Sequence, residues 1–96
     1  MYKDIHGILS KLGFSEKEIS IYRALLELGP SPVRALAAQA RINRGTTYDI
    51  LRSLQDRGLA AYYHKAKHQY FVAEDPERLL TYLENQQSTL EGLKKT

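Results

Sequence analysis

Ser31-Pro32-Val33-Arg34-Ala35-Leu36-Ala37-Ala38-Gln39-Ala40-Arg41-Ile42-Asn43-Arg44-Gly45-Thr46-Thr47-Tyr48-Asp49-Ile50-Leu51-Arg52-Ser53-Leu54-Gln55-Asp56-Arg57-Gly58 decides the fold of this chain. Two helices are legible in it. In the first, Val33, Leu36, Ala37 and Ala40 recur at helical spacing, with Ser31 read as the N-cap and Pro32 at the first position. In the second, Asn43 is read as the N-cap, and Thr47, Ile50, Leu51 and Leu54 form one inward face. Gly58 supplies the stop. The connector Arg41-Ile42 is short, and so tight a join makes two helices cross steeply. That is a helix-turn-helix.

Two strand patterns follow at once. Leu59-Ala60-Ala61-Tyr62-Tyr63-His64 and Gln69-Tyr70-Phe71-Val72-Ala73 are rich in aromatic and β-branched residues. Lys65-Ala66-Lys67-His68 joins them without the glycine, asparagine or aspartate that usually fixes a hairpin turn. A helix pair followed by a hairpin is the plan of a winged helix. The expected class is mainly α with a small β-hairpin: a winged helix-turn-helix plus a C-terminal dimerisation helix.

Upstream, Ile5, Ile8, Leu9 and Leu12 mark a short amphipathic helix stopped at Gly13. Ser15-Glu16-Lys17-Glu18 is a capping box, and Phe14 and Ile19 flank it as a hydrophobic staple. Tyr22, Leu25 and Leu26 continue that helix until Gly29-Pro30. Downstream, Asp75 and Pro76 open a last helix in which Leu79, Leu83, Gln86, Leu90 and Leu93 alternate by four and three. Such a seam suits a coiled coil with one polar member. The expected organisation is a DNA-binding domain over 1–74 and a dimerisation helix over 75–96.

The chain's 96 residues suffice for one domain, and an apolar fraction of 43% with 26% charged residues is that of a globular protein. Without cysteine there is neither disulfide nor thiolate metal site. No apolar run approaches ~18 residues, so no membrane partner is expected, and a cytoplasmic location is. No glycine-rich phosphate loop, nucleophile–histidine pair or paired acids stand out, so neither an enzyme nor a cofactor is expected.

The net charge of +3 is unevenly spread. Between Gly29 and Tyr70 stand Arg34, Arg41, Arg44, Arg52, Arg57, Lys65 and Lys67 against only Asp49 and Asp56. Such a basic surface attracts the phosphate backbone of double-stranded DNA, although a solvated face has the same composition.

Arg44, Gly45, Thr46, Tyr48 and Arg52 face away from the core of the second helix. A recognition helix presents its N-terminal residues to base edges in the major groove. Arg44 suits guanine bidentately, and Thr46 suits a thymine methyl or a phosphate. Gly45 costs the helix roughly 1 kcal/mol relative to alanine, which points to a positional reason for it. The candidate contacts there are Asn43, Arg44, Gly45, Thr46, Thr47, Tyr48 and Arg52. Ser31 joins them at the preceding helix N-terminus. At the wing the candidates are His64, Lys65, Lys67 and His68. The two histidines have no third ligand near them, so no metal is expected.

Leu12-Gly13-Phe14-Ser15-Glu16-Lys17-Glu18, Ile21 to Pro30 and Arg44 to Leu54 with Gly58-Leu59 resemble the N-terminal domain of TrmB-type transcriptional regulators. Tyr70-Phe71-Val72-Ala73-Glu74-Asp75-Pro76-Glu77 is similar to that family's second wing strand running into its next helix. The resemblance implies an archaeal- or bacterial-type winged-helix regulator that dimerises and binds operator DNA. It lays the recognition helix on 43–57 and the wing on 59–73. Typical members continue into a sugar-binding domain, whereas this sequence ends within the helix before it. No small-molecule effector is therefore expected on this chain. The expected function is a homodimeric, sequence-specific DNA-binding regulator. The alternative is a winged-helix module that binds proteins rather than DNA.

Overall fold

The computed structural model describes residues 5–74. Among them are four helices and one hairpin: α1 (Ile5–Lys11), α2 (Glu16–Leu28), α3 (Val33–Ala40), α4 (Arg44–Asp56), β1 (Ala60–Lys65) and β2 (His68–Ala73). The helical part and hairpin are those of a winged helix-turn-helix. The leucine seam at Leu79, Leu83, Gln86, Leu90 and Leu93 lies outside the described residues.

The centre of the fold is α2, which packs against α1, α3, α4 and β2. Its start is fixed by the predicted capping box. Ser15 Oγ accepts from Glu18 N at 3.1 Å, and Glu18 Oε1 accepts from Ser15 N at 2.9 Å. Phe14 and Ile19, the staple pair, are both buried. The buried face of α2 is wider than one stripe, because Ile21 and Ala24 are enclosed along with Ile19, Tyr22 and Leu25. Neighbours on several sides bury residues that a surface helix would expose.

Glu18 also ties α2 to the end of α4. Its Oε2 accepts from Ser53 Oγ at 3.5 Å and lies 3.6 Å from Arg57 Nη1. Arg57 spreads its guanidinium 4.2 Å above the Phe14 ring, a cation–π contact. The first turn of α2 and the last of α4 thus share one polar-aromatic junction.

The entry to α3 differs from the sequence expectation. Pro32, not Ser31, occupies the cap position, and no side chain caps the helix. Ser31 is instead drawn into the sheet. Its N–H donates to Phe71 O at 3.0 Å, and Phe71 N–H donates to Ser31 O at 2.8 Å. Its hydroxyl donates to Gly29 O at 3.0 Å. The backbone pairing outcompetes capping because it satisfies two buried peptide groups at once.

The α3–α4 join turns on Arg41, which is left-handed at φ 58°. The Arg41 and Ile42 amides fold back on the Ala38 and Ala37 carbonyls at 3.3 and 3.0 Å. Asn43 then caps α4 as expected, Oδ1 accepting from Thr46 N at 2.7 Å.

The hairpin is tighter than its sequence suggests. Lys65 pairs with His68, leaving only Ala66 and Lys67 in the loop. Both have positive φ, 52° and 68°, the signature of a type I′ turn. That turn matches the strands' right-handed twist, and the chain adopts it without the glycine or asparagine that usually eases it.

Candidate nucleic-acid interface

The buried face of α4 is the one its spacing predicts: Thr47, Ile50, Leu51 and Leu54. The opposite face is open. Arg44, Gly45, Asp49 and Arg52 are exposed, and Thr46 is half-exposed at the helix N-terminus beside the exposed Asn43. These residues therefore share one solvent-facing surface on the second helix of the helix-turn-helix. An added Cβ at Gly45 meets nothing within 4 Å except Asn43 Oδ1 at 3.5 Å. Nothing in the fold requires glycine there.

Two of the candidate contacts are corrected by their burial. Thr47 is fully enclosed, and its hydroxyl donates to Asn43 O at 2.8 Å. It is a core residue. Ser31 is 6% exposed, with its hydroxyl spent on Gly29 O, so it offers no group to a nucleic acid.

Tyr48 is half-buried. Its ring meets Phe71 edge-on, centroids 6.0 Å apart and planes at 84°, and carries the Arg52 guanidinium 5.1 Å from its own centre. The body of this tyrosine thus packs against the hairpin, and its remaining surface is open to solvent.

Residues directly paired across two strands share a face. Ala60, Tyr62 and His64 therefore lie with Phe71 on the core side of the hairpin. Tyr63 and Lys65 lie with Tyr70 and His68 on the reverse side. His64 pairs with Gln69 and His68 with Lys65, so the two histidines point to opposite faces and cannot meet at one ion. No cluster of three metal-ligating side chains exists among the described residues. His64, Lys65, Lys67 and His68 are all exposed. Lys67 stands in the turn itself and Lys65 at its shoulder, making the tip basic.

Tyr62 was not among the sequence candidates. It is 48% exposed, and its ring leans on Phe71 at 6.0 Å and on His64 at 5.7 Å. The signal was strand alternation, which puts Tyr62 two residues from Ala60 on the α4 side. Aromatic content had marked it only as strand-forming.

The described helices include none long and apolar enough to cross a membrane. A comparison with curated proteins gives no match. Solved structures do resemble it. TrmBL2, an archaeal chromatin protein whose structure shows a mode of DNA binding, superposes with TM-score 0.77 at 22% identity, over 93% of this chain and 36% of its own. The ST1889 protein of Sulfolobus tokodaii superposes with TM-score 0.78 at 19% identity, covering 100% of both chains. A homodimeric winged helix-turn-helix DNA-binding domain of Mb0332 from Mycobacterium bovis gives 0.63 at 20% identity, over 97% of this chain and 85% of that one. At these identities the likeness is one of fold. The family is set by sequence: the profile described as sugar-specific transcriptional regulator TrmB matches residues 9–77, so the chain belongs to the TrmB family of transcriptional regulators.

Proposed function

We propose that this chain is a sequence-specific, double-stranded DNA-binding module that acts as a homodimer. The open N-terminal face of α4, with Arg44, Gly45, Thr46 and Arg52 outward, carries this reading. In it α4 enters the major groove, Arg44 reads a base edge, and Asn43 and Tyr48 flank the contact. Lys65 and Lys67, with His64 and His68 beside them, meet the backbone or minor groove from the wing tip. Membership of a regulator family and the similar fold of TrmBL2, a chromatin protein whose structure shows a mode of DNA binding, support the partner. The leucine seam at 79–93 and the homodimeric Mb0332 domain support self-association through 75–96, with 1–74 as the DNA-binding unit.

The test is fluorescence anisotropy of the chain on random-sequence duplex between roughly 50 and 200 mM salt. Affinity should fall steeply, with a log–log slope of about −0.9 per phosphate contact. Absence of binding at the low end would refute the reading and favour a protein-binding module.

A further inference from the structure

One row of side chains runs from the recognition helix to the wing. Arg52 stands over Tyr48, Tyr48 abuts Phe71, Phe71 carries Tyr62, and Tyr62 meets His64. The middle of the row is dry, since Phe71 is 1% exposed. Both ends are wet. Among the described residues the Tyr48 and Tyr62 hydroxyls make no hydrogen bond. The reverse face of the hairpin is arranged differently: Tyr63 and Tyr70 stack on each other, centroids 5.6 Å apart and planes at 23°. Only on the α4 side do two tyrosines flank a shared buried anchor, one from each element.

We propose that Tyr48 and Tyr62 form a clasp for one sugar-phosphate segment of DNA crossing the junction where α4 packs against the hairpin. Their hydroxyls donate to phosphate oxygens, and Tyr48 holds Arg52 toward the same strand. This rests on the DNA-binding reading above and adds Tyr62 and the positioning role of Tyr48. The chemistry selects backbone rather than base. Neutral hydroxyl donors and a guanidinium suit phosphate oxygens, which take most protein–DNA hydrogen bonds. Rings already braced against Phe71 are not free to swing out and insert between base steps. With a helix in the major groove and a wing on its flank, the wall between them is phosphodiester backbone.

The experiment compares Tyr48→Phe, Tyr62→Phe and Tyr63→Phe in the full chain by anisotropy on random duplex, across the same salt range. Each variant loses one hydroxyl and keeps its ring, and thermal unfolding confirms the fold. Tyr48→Phe and Tyr62→Phe should each weaken binding about threefold to tenfold, the effect of one net hydrogen bond. Their salt slope should stay that of the wild type, because a neutral donor releases no counterion. Tyr63→Phe, on the reverse face, should bind as the wild type does. Arg52→Gln should lower the slope by about 0.9. Tyr48→Leu should lose more than Tyr48→Phe, and Arg52→Gln added to it should cost less than it does alone. Wild-type-like affinity in both Tyr48→Phe and Tyr62→Phe overturns the clasp while leaving DNA binding intact. An equal loss in Tyr63→Phe overturns it too, by moving the strand to the other face. A wild type with no salt-dependent binding overturns the clasp together with the reading beneath it.

Discussion

Arg44 and Gly45 are neighbours with opposite relations to the fold. Arg44 is exposed at the start of α4 and makes no contact that stabilises the domain among those described. Arg44→Ala should leave stability unchanged and weaken specific binding by ~1–3 kcal/mol with relaxed base preference, read by selection from a random library. A Cβ at Gly45 would meet only Asn43 Oδ1, at an ordinary van der Waals distance of 3.5 Å, so Gly45→Ala should stabilise the domain by up to about 1 kcal/mol in urea unfolding. The same change should reduce DNA affinity, because in the proposed docking it puts a methyl group where the helix backbone would close on the duplex. Greater stability with undiminished binding would make the glycine incidental. At this scale periodicity told which α4 side chains turn inward, Thr47 included. Thr47, though inward by spacing, and Ser31, read as an N-cap, were also candidate DNA contacts, and both hydroxyls are spent on backbone carbonyls instead. A hydroxyl that finds an acceptor within its own segment reads the same in sequence as one that waits for a ligand.

Elements are held by local signals of unequal legibility. The capping box and the Asn43 cap were plain in sequence because each is a fixed spacing of a few residue types. The junction it feeds was not, since Glu18, Ser53 and Arg57 are brought together only by the crossing of α2 and α4. Glu18→Ala breaks the capping box and leaves Arg57 Nη1 buried without its carboxylate. It should destabilise the domain by ~1–3 kcal/mol in chemical denaturation, more than a surface carboxylate would. The hairpin turn is the converse case. A left-handed conformation is unfavourable for an alanine, and Ala66 adopts it because strand twist and the two-residue loop leave no alternative. Ala66→Asn, which tolerates that conformation, should raise stability by about 0.5–1 kcal/mol, or several degrees in Tm, while both lysines of the tip remain. An unchanged melting temperature would mean that the turn is not strained.

The whole molecule is organised around α2, and its width of burial explains why a single apolar stripe underread it. Sequence spacing named Tyr22 and Leu25 but not Ile21 and Ala24, because only the tertiary arrangement shows that neighbours approach from several sides. The helix-turn-helix and wing were legible as an order of elements, and the family match extends across them. Packing of Tyr48 on the hairpin was one of the readings its position allowed, but that Phe71 is its partner and Tyr62 the next ring was not legible, because no local pattern encodes that packing. Assembly belongs to this scale as well. A homodimer requires two-fold related recognition helices and so half-sites about 34–36 Å apart, or a multiple of that. Leu83→Glu with Leu90→Glu should convert a dimer to monomer in sedimentation equilibrium and reduce affinity for a palindromic site. A wild type that sediments as a monomer at micromolar concentration would remove the dimer.

The pairing of Ser31 with Phe71 has a mechanical consequence. It acts as a fulcrum: one residue of the α2–α3 passage, bonded in both directions, pins the hairpin at Phe71. Beyond that point the arm runs freely for three residues to His68, about 10 Å at strand rise. Any rotation about this point would displace the tip lysines most and Tyr62, paired with Phe71, least. In the proposed DNA-binding reading, such a lever would have a searching end at the tip lysines and a registering end at its root.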